Sequence, residues 1–132
     1  MNNKKYEEGI KTRRAVLGDA HVDRATANAT EFDAGFQRFI TEFAWGTAWQ
    51  GDELDVQTRH LVTIAIIAAL GKEHELAMHI RATKNTGVTP DQIAAVMNHV
   101  AIYAGVPAAN TAIGIAKEIY ADASAGSETE KD

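Results

Sequence analysis

Residues 61–70 read LVTIAIIAAL, the longest apolar run in the chain, and Gly71 follows the run directly. Apolar side chains occupy almost every position, so a helix formed by this segment would have no polar face. Asp55, before the run, is a good N-cap residue, and Gly71 is a good C′ residue. The run is too short to span a bilayer, and it predicts a buried central helix.

The segments on both sides of this helix also have helical periodicity. The chain contains two prolines, and no stretch alternates apolar with polar residues as a half-buried strand does. Glycines fall between the periodic blocks, where they would end helices. The sequence therefore predicts an all-α protein of about six helices. The five others are expected at 6–16, from 28 or 30 to about 45, and at 72–86, 89–104 and 107–120.

The connections between these helices carry their own signals. Thr89 followed by Pro90 and by Gln92 is typical of a capping box, with Pro at the first helical position. Residues 17–25, LGDAHVDRA, predict a loop. The second helix is expected to have one aromatic face, because apolar residues recur in it at helical spacing. These residues are Phe32, Phe36, Phe39, Ile40 and Phe43.

Composition restricts the function. The 132 residues carry a net charge of −5 without a basic block, which argues against nucleic acid and against anionic membranes as partners. Cysteine is absent, which excludes disulfides, thiolate catalysis and thiolate metal sites and fits a cytoplasmic protein. The N-terminal residues show no apolar signal-peptide core. We expect one helical domain at 1–121 and a disordered polar tail at 122–132.

The most ionisable stretch, 72–87, reads KEHELAMHIRATKNTG and places Glu75 and His79 four residues apart. On a helix the two would share one face, close enough to exchange a proton as an acid–base pair. The alternative is a solvated surface pair. His74 and His79 are five apart, which is not the four-residue spacing of a zinc-protease helix, so we predict no metal site.

Two further pairs of candidate residues have the same four-residue spacing. His99 and Tyr103 are also four apart, among apolar neighbours, and are expected to be half-buried; a hydrogen-bonded core histidine is the alternative. Trp45 and Trp49 suit a core or a subunit interface, and less readily a pocket wall.

Charged residues near the central helix and in the predicted loop complete the set. Arg59 and His60 open the central helix, where a cation would pair with a carboxylate of the protein or of a ligand. His21 and Arg24 lie in the predicted loop, as binding residues often do, although they could equally be solvated.

Five segments, in this order, resemble the carboxymuconolactone decarboxylases, which belong to the alkylhydroperoxidase-D-like all-helical superfamily. They are VLGDAHVDRA (16–25), FQRFITEFAWGTAW (36–49), TRHLVTIAIIAALG (58–71), HELAMHIRATKNTGVT (74–89) and HVAIYAGVPAAN (99–110). The superfamily's peroxidases carry a Cys-x-x-Cys pair before the histidine that His79 resembles. Here Lys72 and Glu75 occupy the two cysteine positions, so a thiol peroxidase is excluded. His60 falls near the position of the peroxidases' proton-relay carboxylate.

The resemblance implies a cofactor-free decarboxylation in the protocatechuate branch of the β-ketoadipate pathway. The implied substrate is 4-carboxymuconolactone, a dicarboxylate lactone, and the implied product is β-ketoadipate enol-lactone. The resemblance further implies a homo-oligomer, a hexamer. His79 is then the expected proton donor, Glu75 would orient it, and His99 is a second donor. The expected substrate-binding residues are His21, Arg24, Trp45, Arg59, His60, Arg81 and Tyr103.

Two alternatives remain open. One is a related decarboxylase or lactone-processing enzyme that acts on another small acid. The other is a helical oligomer without catalytic activity, whose charged stretch is a subunit seam. Arg81 fits either an active site or a seam, because a helix directs it about 160° away from His79.

Overall fold

A computed structural model describes the backbone of residues 3–131 and the side chains of residues 3–124. This part of the chain contains α-helices, one π-helix and no strand, which confirms the all-α class. The elements are α1 (Asn3–Leu17), α2 (Asp19–Asn28), α3 (Ala34–Ile40), the π-helix (Thr41–Ala48), α4 (Val56–Ala69), α5 (Glu73–Thr86), α6 (Pro90–Tyr103) and α7 (Val106–Lys131). They divide into two compact units, residues 1–59 and residues 60–132.

In the first unit, two glycines let α1 lie directly against the π-helix. A Cβ atom added to Gly9 would lie 2.1 Å from the carbonyl oxygen of Thr41. A Cβ atom at Gly46 would lie 2.2 Å from the carbonyl oxygen of Lys5. Only glycine permits this backbone approach, so these two positions determine how closely α1 and the π-helix pack.

The loop predicted at residues 17–25 is wrong, because α2 begins at Asp19. Gly18 alone separates α1 from α2, and its φ of 91° provides the turn. Asp19 then lies in the first turn of α2, where a negative charge is favourable. Arg14 of α1 pairs with Asp19 at 3.0 Å and with Asp23 at 2.9 Å, which joins the two helices across the turn.

The predicted second helix is divided between α3 and the π-helix, and its aromatic face does not pack within the chain. The exposed fractions of Phe32, Phe36, Phe39 and Phe43 are 99%, 60%, 58% and 46%. Phe39 and Phe43 contact each other, with ring centroids 5.1 Å apart. Several exposed aromatic side chains on one helical segment are typical of an interaction site.

In the second unit, α4 to α7 surround one apolar core. Only one face of α4 enters this core, through Ile64 and Ala68. The opposite face is open, with Val62, Ile66 and Leu70 exposed by 46%, 54% and 66%. The prediction that α4 is buried on all sides is therefore wrong for the single chain, because the core of this unit lies against one face only.

Most predicted helix boundaries are confirmed. Asp55 accepts a hydrogen bond from the Thr58 backbone N–H at 2.8 Å, as an N-cap does. Gly87 ends α5 in the left-handed conformation with a φ of 81°. Thr89 and Gln92 form the predicted reciprocal capping box, with hydrogen bonds of 3.1 and 2.9 Å.

The last helix, α7, runs to Lys131 and so passes the predicted end near Tyr120. The disordered tail was expected at 122–132, where most side chains lie outside the described residues, so it stays a prediction. The single domain at 1–121 also stays a prediction. None of the helices in the described part of the chain is both long enough and apolar enough to cross a membrane.

Candidate active site

Two histidines meet inside the second unit. His60 comes from the first turns of α4 and is fully buried, and His79 comes from the middle of α5 and is 6% exposed. His60 Nε2 lies 3.2 Å from His79 Nδ1, within hydrogen-bond distance. The two side chains therefore form one buried imidazole pair.

A threonine holds the other nitrogen of His60. Thr86 lies seven residues after His79, two turns along the same face of α5. Its Oγ1 is 2.7 Å from His60 Nδ1, and its hydroxyl donates to the carbonyl oxygen of Thr83 at 3.4 Å. In the tautomer in which Thr86 accepts from His60 Nδ1–H, His60 Nε2 accepts from His79 Nδ1–H. The donors then run in one direction, from His79 through His60 to Thr86.

Burial makes His60 the neutral member of the pair. Desolvation, followed by the charge of nearby His79, lowers the pKa of His60 to about 4. At neutral pH His60 therefore carries no additional proton. With Nδ1 engaged by His60, Nε2 is the nitrogen through which His79 would exchange a proton with a substrate. The pair has the composition of a general acid–base site in which His60 orients His79.

The structure gives His79 Nδ1 a different partner from the one expected. Glu75 is exposed on the first turn of α5, and its predicted role in orienting His79 stays a prediction. The pattern of residues could not show the His60 contact, because the two histidines lie 19 positions apart on different helices. The signals for His60 were its place at the start of an apolar helix and the resemblance of its position to the peroxidases' proton-relay carboxylate.

Several other predicted residues of the second unit lie at the surface. His99 and Tyr103 stack with ring centroids 6.4 Å apart, but both are exposed, and Tyr103 is 85% exposed. The expected half-burial is therefore wrong in the single chain, because the apolar neighbours on α6 face the core and this pair does not. Arg81 is also exposed and lines a cleft of about 470 Å³ with Lys84 and Tyr120.

The remaining predicted residues lie in the first unit. Arg59 donates to the carbonyl oxygens of Ala48, Gly51 and Leu54 at 2.8, 3.0 and 2.9 Å, and so fixes the connection that leads into α4. Trp45 is buried and stacks on Trp49 at 4.8 Å.

The two residues of the predicted loop lie on α2, where His21 is half-buried and Arg24 is exposed. No three histidine, aspartate or glutamate side chains converge as metal ligands within the described residues. That the protein needs no metal stays a prediction.

Comparison with known proteins gives a consistent result. The chain is 46% identical over 123 residues to a 4-carboxymuconolactone decarboxylase from Acinetobacter baylyi, covering 92% of both chains. It is 38% identical over 122 residues to a nitrosuccinic acid decarboxylase from Metarhizium robertsii, covering 92% of this chain and 85% of the relative. A 4-carboxymuconolactone decarboxylase from Pseudomonas putida is 50% identical over 42 residues, covering 32% of this chain and 88% of the relative. Residues 34–118 match the family described as "Carboxymuconolactone decarboxylase family". The chain therefore belongs to the carboxymuconolactone decarboxylase family.

Proposed function

We propose that this protein decarboxylates 4-carboxymuconolactone to β-ketoadipate enol-lactone in protocatechuate catabolism, without a cofactor. The observation that carries the proposal is the 46% identity to the Acinetobacter baylyi enzyme over 92% of both chains. The buried pair of His60 and His79 supports it, because the reaction needs one positioned proton donor.

The substrate explains why no cofactor is required. The carboxylate that leaves is attached to the carbon γ to the lactone carbonyl, across a carbon–carbon double bond. When CO2 departs, its electron pair moves through that double bond to the carbonyl oxygen and forms a dienolate. The protein has to bind the substrate carboxylates and stabilise the dienolate oxygen. It also has to deliver one proton to the ring carbon α to the lactone carbonyl.

His79 is the proposed proton donor, acting through Nε2. Its Nδ1–H is directed to neutral His60, which holds the ring orientation and leaves the transferable proton on His79. Glu75, at the exposed start of α5, is proposed to help orient His79. His99 with Tyr103 is a second proposed donor. The arginines proposed to bind carboxylates are Arg24, Arg59 and Arg81.

We further propose that the working form is a homo-oligomer, a hexamer, in the cytoplasm. Two apolar surfaces of the described chain support self-association. One is the aromatic face of Phe36, Phe39 and Phe43 in the first unit, and the other is the open face of α4 in the second. The oligomer also offers a role for exposed Arg81, which would then lie at a subunit boundary.

A coupled assay tests the activity directly. Carboxymuconate and its cycloisomerase would generate the unstable lactone in place, with chelator present, and CO2 release would be compared with the spontaneous rate. Release well above the spontaneous rate that is lost in His79→Ala supports the proposal. Release equal to the spontaneous rate with folded protein contradicts it.

A second candidate substrate is an α-nitro acid such as nitrosuccinic acid. The 38% identity to the nitrosuccinic acid decarboxylase favours it, because this relative matches 92% of the chain. The chemistry is parallel, since a nitro group takes up the electron pair left by CO2 as a nitronate, which then needs a proton. Turnover of nitrosuccinate, with no turnover of the lactone, would select this candidate.

A non-catalytic oligomer is the remaining alternative. It predicts that His79→Ala loses assembly, whereas an acid–base role predicts an intact oligomer without turnover. Size-exclusion chromatography of that variant separates the two outcomes.

A further inference from the structure

Arg13 of α1 is a buried cation with neutral partners. Its side chain is only 8% exposed. Nη1 donates to the hydroxyl of Thr41 at 3.2 Å, and Nη2 donates to the side-chain oxygen of Gln37 at 3.3 Å. A guanidinium has five N–H donors, so these two long hydrogen bonds use a minority of them.

The charge of Arg13 has no counter-ion among the described residues. No aspartate or glutamate within that part of the chain forms an ion pair with it, and its buried Nε–H has no hydrogen-bond partner there. Burial lowers the pKa of Arg13, and the charge interaction with Tyr6 offsets this lowering only in part. Proteins rarely bury a charged group without compensation, and a buried orphan donor calls for an explanation.

A cavity of about 270 Å³ is lined in part by Arg13. Its wall includes Tyr6, Ile10, Thr26, Gln37 and Arg38 as well as Arg13. Arg38 lies over the ring of Tyr6 at 4.6 Å, and its charge is balanced by Glu42 at 2.8 Å. The cavity therefore combines apolar wall, hydroxyl and amide groups, and one positive charge that the described residues leave unbalanced.

Close backbone packing positions this arrangement. Gly9 lies one turn before Arg13 on the same face of α1, and its missing Cβ lets α1 approach the Thr41 carbonyl. Thr41 opens the π-helix, a rare geometry that is common at functional sites. The Thr41 hydroxyl donates to the Gln37 carbonyl at 2.8 Å, which leaves its oxygen to accept from Arg13.

We infer that this cavity is a binding site for a small organic carboxylate, with Arg13 as its charged ligand. A carboxylate is the anion that suits a guanidinium, since its two oxygens match two parallel N–H groups. Pockets for drug-sized ligands measure about 300–1,000 Å³, so 270 Å³ suits a smaller acid of four to six carbons. That acid is either a substrate carboxylate or a separate acid that regulates the protein.

Binding without turnover tests the site, so the test is independent of the proposed decarboxylation. Succinate, glutarate and the neutral succinamide would be titrated into the full chain by calorimetry, at constant ionic strength set with chloride. The variants are Arg13→Met, which removes the charge, and Arg13→Lys, which keeps the charge but loses the planar fork. Arg14→Met is the matched control, because half-buried Arg14 on the same helix pairs with two exposed aspartates at the surface.

We expect wild type and Arg14→Met to bind the dicarboxylates and not succinamide. Arg13→Lys should weaken the affinity at least tenfold, and Arg13→Met should abolish binding. Equal binding by Arg13→Met, or no dicarboxylate binding by folded wild type, overturns the inference. Dissociation of the Arg13→Met assembly, together with no binding by wild type, would overturn it in favour of a partner subunit's carboxylate as counter-ion.

Inhibition kinetics and the KM of Arg13→Lys distinguish a substrate carboxylate from a regulatory acid. If the site takes a substrate carboxylate, succinate inhibits turnover competitively and Arg13→Lys raises KM. If it takes a regulator, succinate binds equally well when the substrate site is saturated, and Arg13→Lys leaves KM unchanged. Either result upholds a carboxylate site at Arg13.

Discussion

His60 Nε2 lies 3.2 Å from His79 Nδ1, and this contact joins the start of α4 to the middle of α5 inside the second unit. Two imidazoles this close cannot both be protonated without strong repulsion, and burial makes His60 the one that stays neutral. In the mechanism proposed above, neutral His60 accepts at Nδ1 and Nε2 of His79 exchanges the proton. A carboxylate has the corresponding orienting role in many catalytic histidine pairs.

Replacing His79 should remove most of the activity and leave the fold intact. We expect His79→Gln to lower the rate of decarboxylation by about 10²- to 10⁴-fold, the range for loss of a general acid. His74→Gln is the matched control, since His74 is exposed on the same helix. The coupled CO2 assay measures the rate, and circular dichroism checks the helix content. Equal losses in both variants would contradict a specific role for His79.

Thr86 should act on the reaction only through His60. Thr86→Val keeps the shape but removes the hydroxyl, so His60 would no longer be held in one tautomer. We expect activity to fall about 5- to 10-fold, the equivalent of one hydrogen bond, and the pH profile of activity to shift. Imidazole ¹⁵N NMR should show a mixed tautomer at His60.

The conservative variant separates this effect from packing. Thr86→Ser restores the hydroxyl and should restore both the pH profile and the single tautomer. A serine variant that behaves like the valine variant would instead indicate a packing role for the Thr86 methyl group.

His60 should make the protein sensitive to acid. Its pKa is about 4 in the folded state and about 6.5 when unfolded, so the unfolded state takes up the proton first as pH falls. The contribution of His60 to the free energy of unfolding is fully present above about pH 6.5. It falls by roughly 3 kcal/mol as the pH drops to about 4. Urea denaturation at pH 7 and pH 4.5 measures this loss. His60→Gln should lose less over the same interval, whereas His74→Gln should follow wild type.

Local signals predicted several helix ends well. Caps at Asp55 and Thr89 and the left-handed Gly87 depend on neighbours within a few residues, and all were confirmed. The loop at 17–25 was wrong because one glycine completed the turn that a longer segment was expected to make.

Long-range contacts could not be predicted in the same way. Helical periodicity shows which face of a helix is apolar, but it does not show what covers that face. For this reason the open face of α4 was expected to be buried. The contact of His60 with His79 and the burial of Arg13 against Thr41 depend on how helices pack, and no spacing in the sequence indicates either.

Gly9 should be essential for the packing of α1. Gly9→Ala would place a Cβ atom 2.1 Å from the Thr41 carbonyl oxygen. Because this oxygen belongs to the backbone, it cannot move away without disturbing the π-helix. We expect a loss of about 3 kcal/mol or more in the free energy of unfolding. Gly35→Ala is the control, because its Cβ would meet nothing within 4 Å on helix α3. It should be neutral or gain roughly 0.5–1 kcal/mol, so similar losses in both variants would argue against the close approach.

The open face of α4 should be a subunit contact. Ile66 is 54% exposed between Val62 and Leu70, so Ile66→Asp places a charge in the centre of this apolar stripe. If the stripe is buried between copies of the chain, the charge cannot be desolvated and the assembly should fall apart. Gln57→Asp adds the same charge to an exposed polar position of α4 and should leave the assembly intact. Light scattering after size-exclusion chromatography gives the mass of each variant. An Ile66→Asp protein that keeps the wild-type mass would exclude this face from the interface and leave the aromatic face of the first unit as the surface to test.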